Sequence, residues 1–390
     1  GCVLDRKLKI ARVSTVPFFI VTQLSATIEA LKDAGAAVTV ISSDDDLGGE
    51  LRKLMGADFI PLKMVREINP IQDLISLIMM IKVFKQGGFD VVHSTTPKAG
   101  LICAIAGAIA GVKVRLHTYT GQPWVTMNGI KRHLLKLCDR VIGALNTRCY
   151  TDSFSQQKFL IEQNVIKSEK ISVLGQGSFA GVDLKRFNTS RFSESDKAVL
   201  KSELCINTES KVVIFVGRIT KDKGVSELIE AFDHLVTGGL DLYLLLVGPY
   251  EPDGFAIVDN ISNKNVRDRI KTVGFSSVPE KYMAVADILC LPSYREGFGT
   301  VVIEAAAMGL PTVGTSIYGL SDAVVDGETG FLVPVGDSMS LANSIRSLVT
   351  NEELLITMSN AARERAQTSF DSTLYSSLLI AEYDSFFEKY

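Results

Sequence analysis

The chain has 390 residues, of which 46% are hydrophobic and 22% charged, a balance that excludes an intrinsically disordered protein. Its length allows two domains of ordinary size. The formal net charge of -3 conceals a basic first half, because residues 1–188 hold 24 Lys and Arg against 16 Asp and Glu, and the remainder hold 17 against 28. A basic half favours an anionic partner such as a membrane surface or a lipid pyrophosphate, and ordinary scatter of charge between domains explains it equally well.

The cysteines and the apolar stretches indicate the cellular compartment of the protein. None of the six cysteines forms a Cys-x-x-Cys pair, so we expect small core residues in a reducing compartment rather than disulfides or a metal site. The sequence shows no signal-peptide pattern. Its longest uncharged apolar stretch, Ala99 to Val112, is about 14 residues long, below the roughly 18 that indicate a membrane span. We therefore expect a tightly packed internal helix there and a cytoplasmic protein.

Strand-like and helical patterns alternate through the first half, which predicts a parallel sheet built from βαβ units. The predicted strands are Leu8–Val13, Val38–Ser42, Asp90–His93 and Val114–His117. The predicted helices are Leu24–Ala34, Asp73–Phe84, Lys98–Ala110 and Ser155–Gln163.

Two histidines each close a predicted strand of this half, His93 and His117. Ligands of such sheets bind beyond the carboxyl ends of the strands, so both are candidates for the site, His117 more than His93. The loop after His117 carries Gln122 and the only tryptophan, Trp124, which either form part of an acceptor pocket or cover the core.

The segment Asn128–Arg140 mixes four basic residues with apolar ones at helical spacing. Such a helix can lie on an anionic membrane, and an ordinary solvated helix is an equally good interpretation.

The alternating pattern restarts near Lys211 after a polar segment, which predicts a second domain. The predicted elements are strand Val212–Val216, helix Val225–Leu235, strand Leu242–Val247, helix Pro279–Val285, strand Asp287–Leu291 and a helix around Glu304. We therefore predict an N-terminal domain at residues 1–188, a linker at 189–210 and a C-terminal domain at 211–370. The apolar face of a last helix, residues 371–390, predicts that it packs back on the first domain.

Cations follow the first strand of the predicted second domain. Gly217 and Arg218 end the strand, and Lys223 precedes the next helix. Arginine presents a planar fork of donors that matches phosphate, and lysine adds a point charge. These residues favour a diphosphate site over solvated loop charges.

The segment Arg295–Pro311 is the most informative of the chain. A glycine-rich turn, Gly297–Thr300, opens an apolar helix and aims free backbone amides at one point, which suits an anionic ligand. Glu296 lies in the turn and Glu304 on the helix. A carboxylate on so apolar a helix is costly unless it is hydrogen-bonded, and a sugar hydroxyl can provide that bond.

These motifs, in this order, resemble the family 4 retaining glycosyltransferases of the GT-B fold, particularly their capsular-polysaccharide, CapM-like branch. The resemblance covers nearly the whole chain. In the first half it rests on the segments 68–70, 92–100, 114–117 and 181–187. In the second half it rests on the segments 216–218, 223–224, 273–275 and 293–299 and on Glu304. It implies an α/β fold of two Rossmann-like domains that face each other across a deep cleft.

The resemblance also implies roles for individual residues. His117 approaches the transferred sugar, Glu296 holds the donor sugar hydroxyls, and Glu304 accepts hydrogen bonds from the ribose. Arg218 and Lys223 neutralise the leaving diphosphate. The expected catalytic residues are His117, Arg218, Lys223 and Glu296. The expected donor-binding residues are Gly217, Gly274, Phe275, Gly297, Phe298, Gly299, Thr300 and Glu304. The acceptor-side candidates are His93, Lys98, Gln122 and Trp124. Neither a metal nor another cofactor is implied.

The implied function is transfer of a sugar, of N-acetylhexosamine type, from a UDP-sugar to a polyprenyl-diphosphate-linked saccharide in bacterial surface polysaccharide synthesis. The enzyme would act at the cytoplasmic face of the membrane, with peripheral contact through its basic domain. Three alternatives remain: a GDP-sugar-dependent transferase, a nucleotide-sugar epimerase of GT-B architecture, and an inactive binding subunit.

Two segments depart from the family pattern. Where the family often has a Gly-Gly loop, this chain reads Ser14–Phe19, and the segment Gly175–Ala180 replaces a plainer Pro-Asn-Gly run. The first change affects contacts to the acceptor, and the second predicts a loop that is specific to this protein.

Overall fold

The chain forms two compact α/β units. The computed structural model describes residues 3–44, 48–55, 58–178 and 180–388. One unit comprises Gly1–Gly181 together with Ser372–Tyr390, and the other comprises Val182–Asp371. Cys2 and Phe179, which the sequence analysis included in its predictions, lie outside the described residues.

A parallel sheet of seven described strands, in the order β3-β2-β1-β4-β5-β6-β7, forms the centre of the first unit. The strands are β1 (Lys9–Val13), β2 (Ala37–Ser42), β3 (Phe59–Pro61), β4 (Val91–Thr95), β5 (Val114–Tyr119), β6 (Arg148–Thr151) and β7 (Ile171–Val173). The helices are α1 (Pro17–Phe19), α2 (Ser25–Asp33), α3 (Gly48–Met55), α4 (Pro70–Gly87), α5 (Pro97–Ala110), α6 (Gly129–Leu145) and α7 (Phe154–Glu162).

The second unit has a parallel sheet of six described strands in the order β10-β9-β8-β11-β12-β13. The strands are β8 (Lys211–Val216), β9 (Leu242–Val247), β10 (Ile270–Gly274), β11 (Ile288–Leu291), β12 (Thr312–Thr315) and β13 (Gly330–Val333). The helices are α8 (Glu194–Glu203), α9 (Val225–Thr237), α10 (Phe255–Asp259), α11 (Lys264–Arg267), α12 (Pro279–Met283), α13 (Thr300–Ala307), α14 (Leu320–Ala323), α15 (Ser338–Val349) and α16 (Glu352–Ser369). The last helix, α17 (Ser372–Ser385), belongs to the first unit.

Local sequence explains these elements. β9 is apolar at nearly every position and buried throughout, as expected for a strand covered on both faces. The side chain of Asn69 accepts a hydrogen bond from the amide of Gln72 and caps α4, whose first residue is Pro70. Two αβ units of this kind confirm the predicted fold class of two Rossmann-like halves.

The domain limits differ from the predicted ones. Residues 182–210, divided in the prediction between the first domain and a linker, lie in the second unit. Leu200 of α8 and Ile206 are buried in its core, so this polar-looking segment is anchored by a few apolar side chains. Tyr375, Leu379 and Tyr383 of α17 are buried in a core of the first unit, beside α2.

Among the described residues, no helix combines the length and the apolar character that crossing a membrane requires. The predicted internal helix is α5, in which Ala99, Ile102 and Cys103 are buried. Cys149 and Cys290 are also buried, whereas Cys205 is exposed.

Candidate functional site

Three strand ends of the second unit are packed backbone against backbone. The amide of Gly217 donates to the carbonyl of Val247, and the amide of Gly248 donates to the carbonyl of Gly274. A Cβ atom at Gly248 would lie 1.7 Å from the carbonyl oxygen of Gly217, so only glycine fits there. These contacts place the carboxyl ends of β8, β9 and β10 side by side at one edge of the sheet, the position at which open α/β sheets bind ligands.

Arg218 follows β8 at this edge of the sheet. Its Nη1 lies 3.5 Å from Oε1 of Glu251, and each side chain is about one third exposed. The contact is long and solvated, so the guanidinium can exchange this carboxylate for a phosphate at small cost.

Lys223 is held more tightly. Its Nζ lies 2.6 Å from Oε1 of Glu296, which also accepts a hydrogen bond of 2.9 Å from Ser293. The lysine reaches this position through a short 3₁₀ turn that ends at Gly224, where a Cβ atom would lie 2.0 Å from the carbonyl oxygen of Pro292. Two residues that are 73 positions apart in sequence thus form one ion pair at the ends of β8 and β11.

The neighbouring loop is fixed by two further polar contacts. Nε of Arg295 donates to Asp222 at 3.1 Å, and the hydroxyl of Tyr294 donates to Glu227. The bond to Glu227 raises the pKa of Tyr294 to about 12. These bonds attach the Glu296 loop to the turn that carries Lys223 and to the first turn of α9, on either side of the lysine's connection to the helix.

The turn into α13 presents backbone rather than side chains. The ring of Phe298 is buried against Phe370, with the ring centroids 5.3 Å apart, so the predicted donor contact of Phe298 is restricted to its backbone. Thr300 begins α13, and its hydroxyl is a buried oxygen that lacks a hydrogen-bond partner among the described residues. An unpartnered hydroxyl at a helix N-terminus fits a phosphate oxygen.

Glu304 lies one turn beyond Thr300, on the same face of α13. The residue as a whole is half-buried, and burial of its carboxyl group raises the pKa to about 8, with Arg186 opposing the increase and Glu280 adding to it. Arg186 itself is paired with the buried Glu280 through Nε and Nη2, both at 3.0 Å. Sequence reasoning assigned Arg186 no role, because its partner is 94 residues away and only the fold brings the two together.

The predicted base-reading turn lies at the carboxyl end of β10. Gly274 has a φ of 72° and connects the strand to Phe275, whose side chain is 43% exposed. This turn lies two strands away from Arg218 in the sheet, on the same edge.

In the first unit, His117 is a buried residue near the carboxyl end of β5. Its Nδ1 is hydrogen-bonded to the hydroxyl of Ser94 at 2.8 Å, and its ring packs edge-on against Tyr119. Burial lowers its pKa to about 3, so the imidazole is neutral. Helix α5 lies so close that a Cβ atom at Gly100 would be 2.4 Å from Cε1 of the ring. With Nδ1 engaged by Ser94, Nε2 is the ring nitrogen that remains for a ligand among the residues described.

His93 lies on the opposite face of the sheet and is an internal residue. Its Nδ1 contacts the hydroxyl of Tyr383 at 2.5 Å, and its Nε2 contacts the hydroxyl of Thr118 at 2.7 Å. Burial and the nearby charge of Arg12 hold its pKa well below the usual range. This corrects the acceptor-side prediction for His93, because both ring nitrogens already have partners within the unit.

The other acceptor-side candidates are also directed inward. Lys98 is ion-paired with Asp73 at 2.6 Å and donates to the carbonyl of Glu67 at 2.8 Å. Gln122 is fully buried and donates to Gln156 at 2.9 Å. Direct contact with an acceptor would require these side chains to leave their partners.

Trp124 belongs to the core. Its ring is fully buried and stacked on Phe159, and its Nε1 donates to Asp139 at 2.7 Å. Burial raises the pKa of Asp139 to about 7 despite this hydrogen bond. The structure therefore favours the second interpretation of Trp124, a residue that covers the core, and corrects the acceptor-pocket prediction.

Hydrogen bonds of Thr15 fix the start of the loop Ser14–Phe19, which departs from the family pattern. The amide of Thr15 donates to the hydroxyl of Thr96 at 3.1 Å, and the hydroxyl of Thr15 accepts from the amide of Ala99 at 3.2 Å. A side chain of the protein thus satisfies a free amide at the beginning of α5. Thr96 has a φ of 75°, a strained value for a residue with a Cβ atom.

Within the part of the chain that the structure describes, no three His, Cys, Asp or Glu side chains are grouped closely enough to hold a metal ion. Arg218 and Lys223 are two of the cations at the second unit's strand ends.

Comparison with known families divides the chain in the same way as its fold. Residues 20–177 match the family described as "Glycosyl transferase 4-like domain", and residues 196–365 match "Glycosyl transferases group 1". The second match contains all the candidate residues from Arg218 to Glu304.

Individual proteins are similar over almost the whole length. The capsular polysaccharide biosynthesis glycosyltransferase CapM of Staphylococcus aureus is 33% identical over 364 residues, 93% of either chain. An Escherichia coli UDP-Gal:alpha-D-GlcNAc-diphosphoundecaprenol alpha-1,3-galactosyltransferase is 26% identical over 94% of either chain. The crystal structure of HepE from Anabaena in complex with UDP and glucose has the same fold, with a TM-score of 0.81 at 21% identity over 97% of this chain and 100% of that one.

Proposed function

Because the chain belongs to the group 1 glycosyltransferases with a glycosyltransferase 4-like first half, we propose that it transfers a sugar from a UDP-sugar to a polyprenyl-diphosphate-linked saccharide. The protein is a glycosyltransferase. We place its reaction in the synthesis of a bacterial surface polysaccharide such as a capsule or O-antigen, with retention of the anomeric configuration.

One observation carries the donor half of this proposal. The carboxyl edge of the second unit's sheet combines the guanidinium of Arg218, the ammonium of Lys223 and the unpartnered hydroxyl of Thr300. A diphosphate satisfies all three, because its oxygens accept from charged and neutral donors alike.

The Lys223–Glu296 ion pair suggests how this edge supports catalysis. Glu296 accepts from Lys223 and Ser293, which holds its carboxylate where the hydroxyls of a donor sugar can donate to it. Lys223, oriented by the same pair, supports the negative charge that develops on the leaving diphosphate. Preorganised charges of this kind supply the largest catalytic term in many enzymes. We propose that no metal ion is required, because Arg218 and Lys223 provide the positive charge.

Retention by front-face attack fits the first unit. The carboxyl groups of Asp139 and Asp152, beside Trp124 and Gln122, are buried, and each is hydrogen-bonded to a neighbour. The carboxyl group of Asp73 is ion-paired with Lys98. None of the three is presented as a free nucleophile for a double displacement. We propose that the departing phosphate oxygen takes the proton of the acceptor hydroxyl and that neutral His117 approaches the transferred sugar.

The choice of substrates follows from relatives that resemble the whole chain. The E. coli relative is named for a UDP-sugar donor and a lipid diphosphate acceptor, and CapM is named for capsule synthesis. We extend both properties to this protein, with an N-acetylhexosamine-type donor. We also place it at the cytoplasmic face of the membrane, in peripheral contact through its basic first unit.

A thermal-shift panel of UDP, GDP, ADP and their common sugars, with EDTA present, tests the donor. At a hundred times its dissociation constant, a ligand of the native state adds about 2.7 kcal/mol of stability. A shift with UDP alone supports the proposal and metal-independent binding. A shift with GDP alone supports the GDP-sugar-dependent transferase, and no shift with any nucleotide overturns the donor assignment.

The reaction itself is tested by product analysis. NMR of the product should show the anomeric configuration of the donor, and the opposite anomer would contradict retention. Interconversion of UDP-sugars without any acceptor would support the epimerase instead. UDP binding without turnover over a broad acceptor panel would support an inactive subunit.

A further inference from the structure

Helix α4 has an outer face that is unusual for a helix in water. Its apolar side chains, together with Ile68 just before the helix, are between 43% and 77% exposed: Ile68, Ile71, Leu74, Ile75, Ile78 and Met79. They follow the helical spacing, so they form one continuous stripe about 17 Å long. Contiguous exposed apolar surface of this kind marks an interaction site.

A second apolar row lies on α6. Ile130, Leu134 and Leu137 are 87%, 43% and 52% exposed and lie on one side of that helix. The crossovers containing α4, α5 and α6 all run in the same direction along the sheet, so right-handed connections place the three helices on one face of it. Helix α5 contacts both of the others. We call this surface, the exposed apolar residues of α4 and α6, the α4/α6 surface.

The charge around this surface is mainly positive, with exposed Glu67, next to Ile68, beside exposed Arg66. Exposed Lys82 and Lys85 extend the α4 stripe, and exposed Lys131 and Arg140 border the α6 row. Each helix has one acidic residue. Asp73 of α4 is neutralised by Lys98, and Asp139 of α6 is buried. The remaining basic residues of α6, Arg132 and Lys136, donate to carbonyl and amide oxygens rather than to carboxylates, so their charge persists.

The surface adjoins the edge of the sheet that carries His117. Helix α4 begins at the carboxyl end of the strands, and Lys98 joins its first turn to α5 through Asp73 and the carbonyl of Glu67. The most exposed apolar residues of the two helices, Ile71 and Ile130, both lie in first turns and thus near this edge.

We propose that the α4/α6 surface docks into the interfacial region of an anionic lipid bilayer, with α4 lying in the plane of the membrane. Apolar side chains bordered mainly by cations complement a negatively charged leaflet. With three charged residues in its 18, α4 lies on a bilayer rather than across it. A second copy of the chain is a poorer occupant, because it would place cations against cations.

Only the biological role that we assign to membrane docking rests on the proposed function. Docking through α4 and α6 would bring the carboxyl edge of the first unit next to the bilayer, where the headgroup of a lipid-linked acceptor lies. The surface itself is independent of which sugar is transferred.

Vesicle flotation of the full chain tests the docking. We expect binding to phosphatidylcholine vesicles that contain phosphatidylglycerol, weaker binding to phosphatidylcholine alone, and a decrease with salt. The variant Ile71→Gln/Ile75→Gln/Ile78→Gln should lower the partition coefficient at least about tenfold, because it removes the apolar area available for insertion. The variant Lys82→Glu/Lys85→Glu/Lys131→Glu should abolish the preference for anionic lipid.

A matched control makes the same substitutions to glutamine on the surface of the second unit. Val199, Met339 and Ile356 are exposed apolar residues on helices of the second unit, each at least 50% exposed. The triple Gln variant at these positions should bind vesicles as the unchanged protein does. Equal loss in both triple variants, or no loss in either, overturns the proposal.

Insertion is tested separately by fluorescence. An Ile75→Trp variant should be quenched by brominated lipid, whereas the unchanged protein, whose only tryptophan is fully buried, and an Ile356→Trp variant should not. Absence of quenching at position 75 overturns insertion. Light scattering that shows a dimer abolished by the α4 triple variant assigns the surface to a second copy and also overturns it.

The same samples separate this inference from the proposed function. The α4 triple variant should keep the wild-type thermal shift with UDP, because its changes lie in the other unit. Failure of UDP to bind any of the proteins would refute the donor assignment while the vesicle results stand.

Discussion

At the scale of single residues, the candidate cations are already paired within the protein. Arg218 contacts Glu251 at 3.5 Å, and Lys223 contacts Glu296 at 2.6 Å. The first pair is long and about one third exposed to solvent, and the second is short and more buried. We therefore assign Arg218 to the ligand and Lys223 jointly to the ligand and to Glu296.

Replacing Arg218 tests this assignment. Arg218→Ala should lower the turnover rate on the order of a hundred- to a thousandfold, because the leaving diphosphate loses a preorganised donor. Lys221→Ala, which removes a neighbouring exposed cation, serves as the control and should stay within about threefold of the unchanged enzyme. Steady-state kinetics with the two variants decide, and equal rates for Arg218→Ala and the control contradict the assignment.

Gly100 tests the position of His117. In Gly100→Ala the new methyl group would lie 2.4 Å from Cε1 of the imidazole, so the ring must move, and we expect a loss of about tenfold or more in activity. Gly49→Ala on helix α3 of the same unit meets no atom within 4 Å and should be nearly neutral. Comparable activity in both variants would exclude a role for the exact position of His117.

The raised pKa of Glu304 predicts that the free energy of unfolding depends on pH. Its folded pKa of about 8 lies above the ordinary 4.5, so the folded protein binds more protons between these values and loses stability as the pH rises through that window. Glu304→Gln removes the titration, and its stability relative to wild type should therefore improve between pH 5 and pH 8, by a few kcal/mol at most. Denaturation curves at the two pH values measure this, and an unchanged difference between the two proteins would contradict the raised pKa.

At the scale of elements, α17 completes a polar layer inside the first unit. The hydroxyl of Tyr383 accepts from Arg12 at 3.2 Å and contacts His93 at 2.5 Å, and Glu382 accepts from Tyr150 at 2.7 Å. The helix is therefore anchored by hydrogen bonds as well as by its apolar residues.

Tyr383→Phe should destabilise the protein by about 1–3 kcal/mol, because Nη1 of the buried Arg12 and Nδ1 of His93 lose the hydroxyl that they contact. Tyr375→Phe is the matched control, since Tyr375 is a buried tyrosine of the same helix whose hydroxyl has no hydrogen bond to the described residues. Chemical denaturation of both variants gives the comparison. Equal stability of the two would show that the polar layer contributes little.

The sequence predicted most of the long elements with clear periodicity and missed several of the short ones. Strand β9 and helix α5 stand out through apolar runs, whereas β6, β7 and β13 have only three or four residues each and offer no period to detect. The charged α16 was also missed, because its few buried residues are widely spaced among polar ones.

The candidate site was predictable to the same limited extent. Arg218, Lys223, Glu296 and Glu304 could be found because each lies in a local turn or helix motif at the end of a strand. The burial of Trp124, Gln122 and His93 could not, because it depends on partners such as Asp139, Gln156 and Tyr383 that only the tertiary fold brings near.

At the scale of the whole molecule, the chain passes from the first unit to the second at residue 182 and returns at residue 372. The two crossing points are adjacent within the second unit, where the amide of Val182 donates to the carbonyl of Phe370. The second unit is therefore a continuous insertion in the first.

Removing residues 372–390 should thus damage the first unit and spare the second. The shortened chain would expose the apolar surface that Leu379, Ile380 and Tyr383 cover, so we expect it to lose the first unit's cooperative unfolding transition. Its second unit should still respond to UDP in a thermal shift. Loss of both transitions together would mean that the units fold as one.

The insertion also fixes an order of events during synthesis on the ribosome. Synthesis runs from the N-terminal side, so the β1 to β7 sheet lacks α17, one of its covering helices, until residues 372–385 have left the exit tunnel. The second unit, residues 182–371, has all of its parts earlier. The unit that begins first is therefore completed after the other, and the apolar surface that α17 covers stays exposed until then.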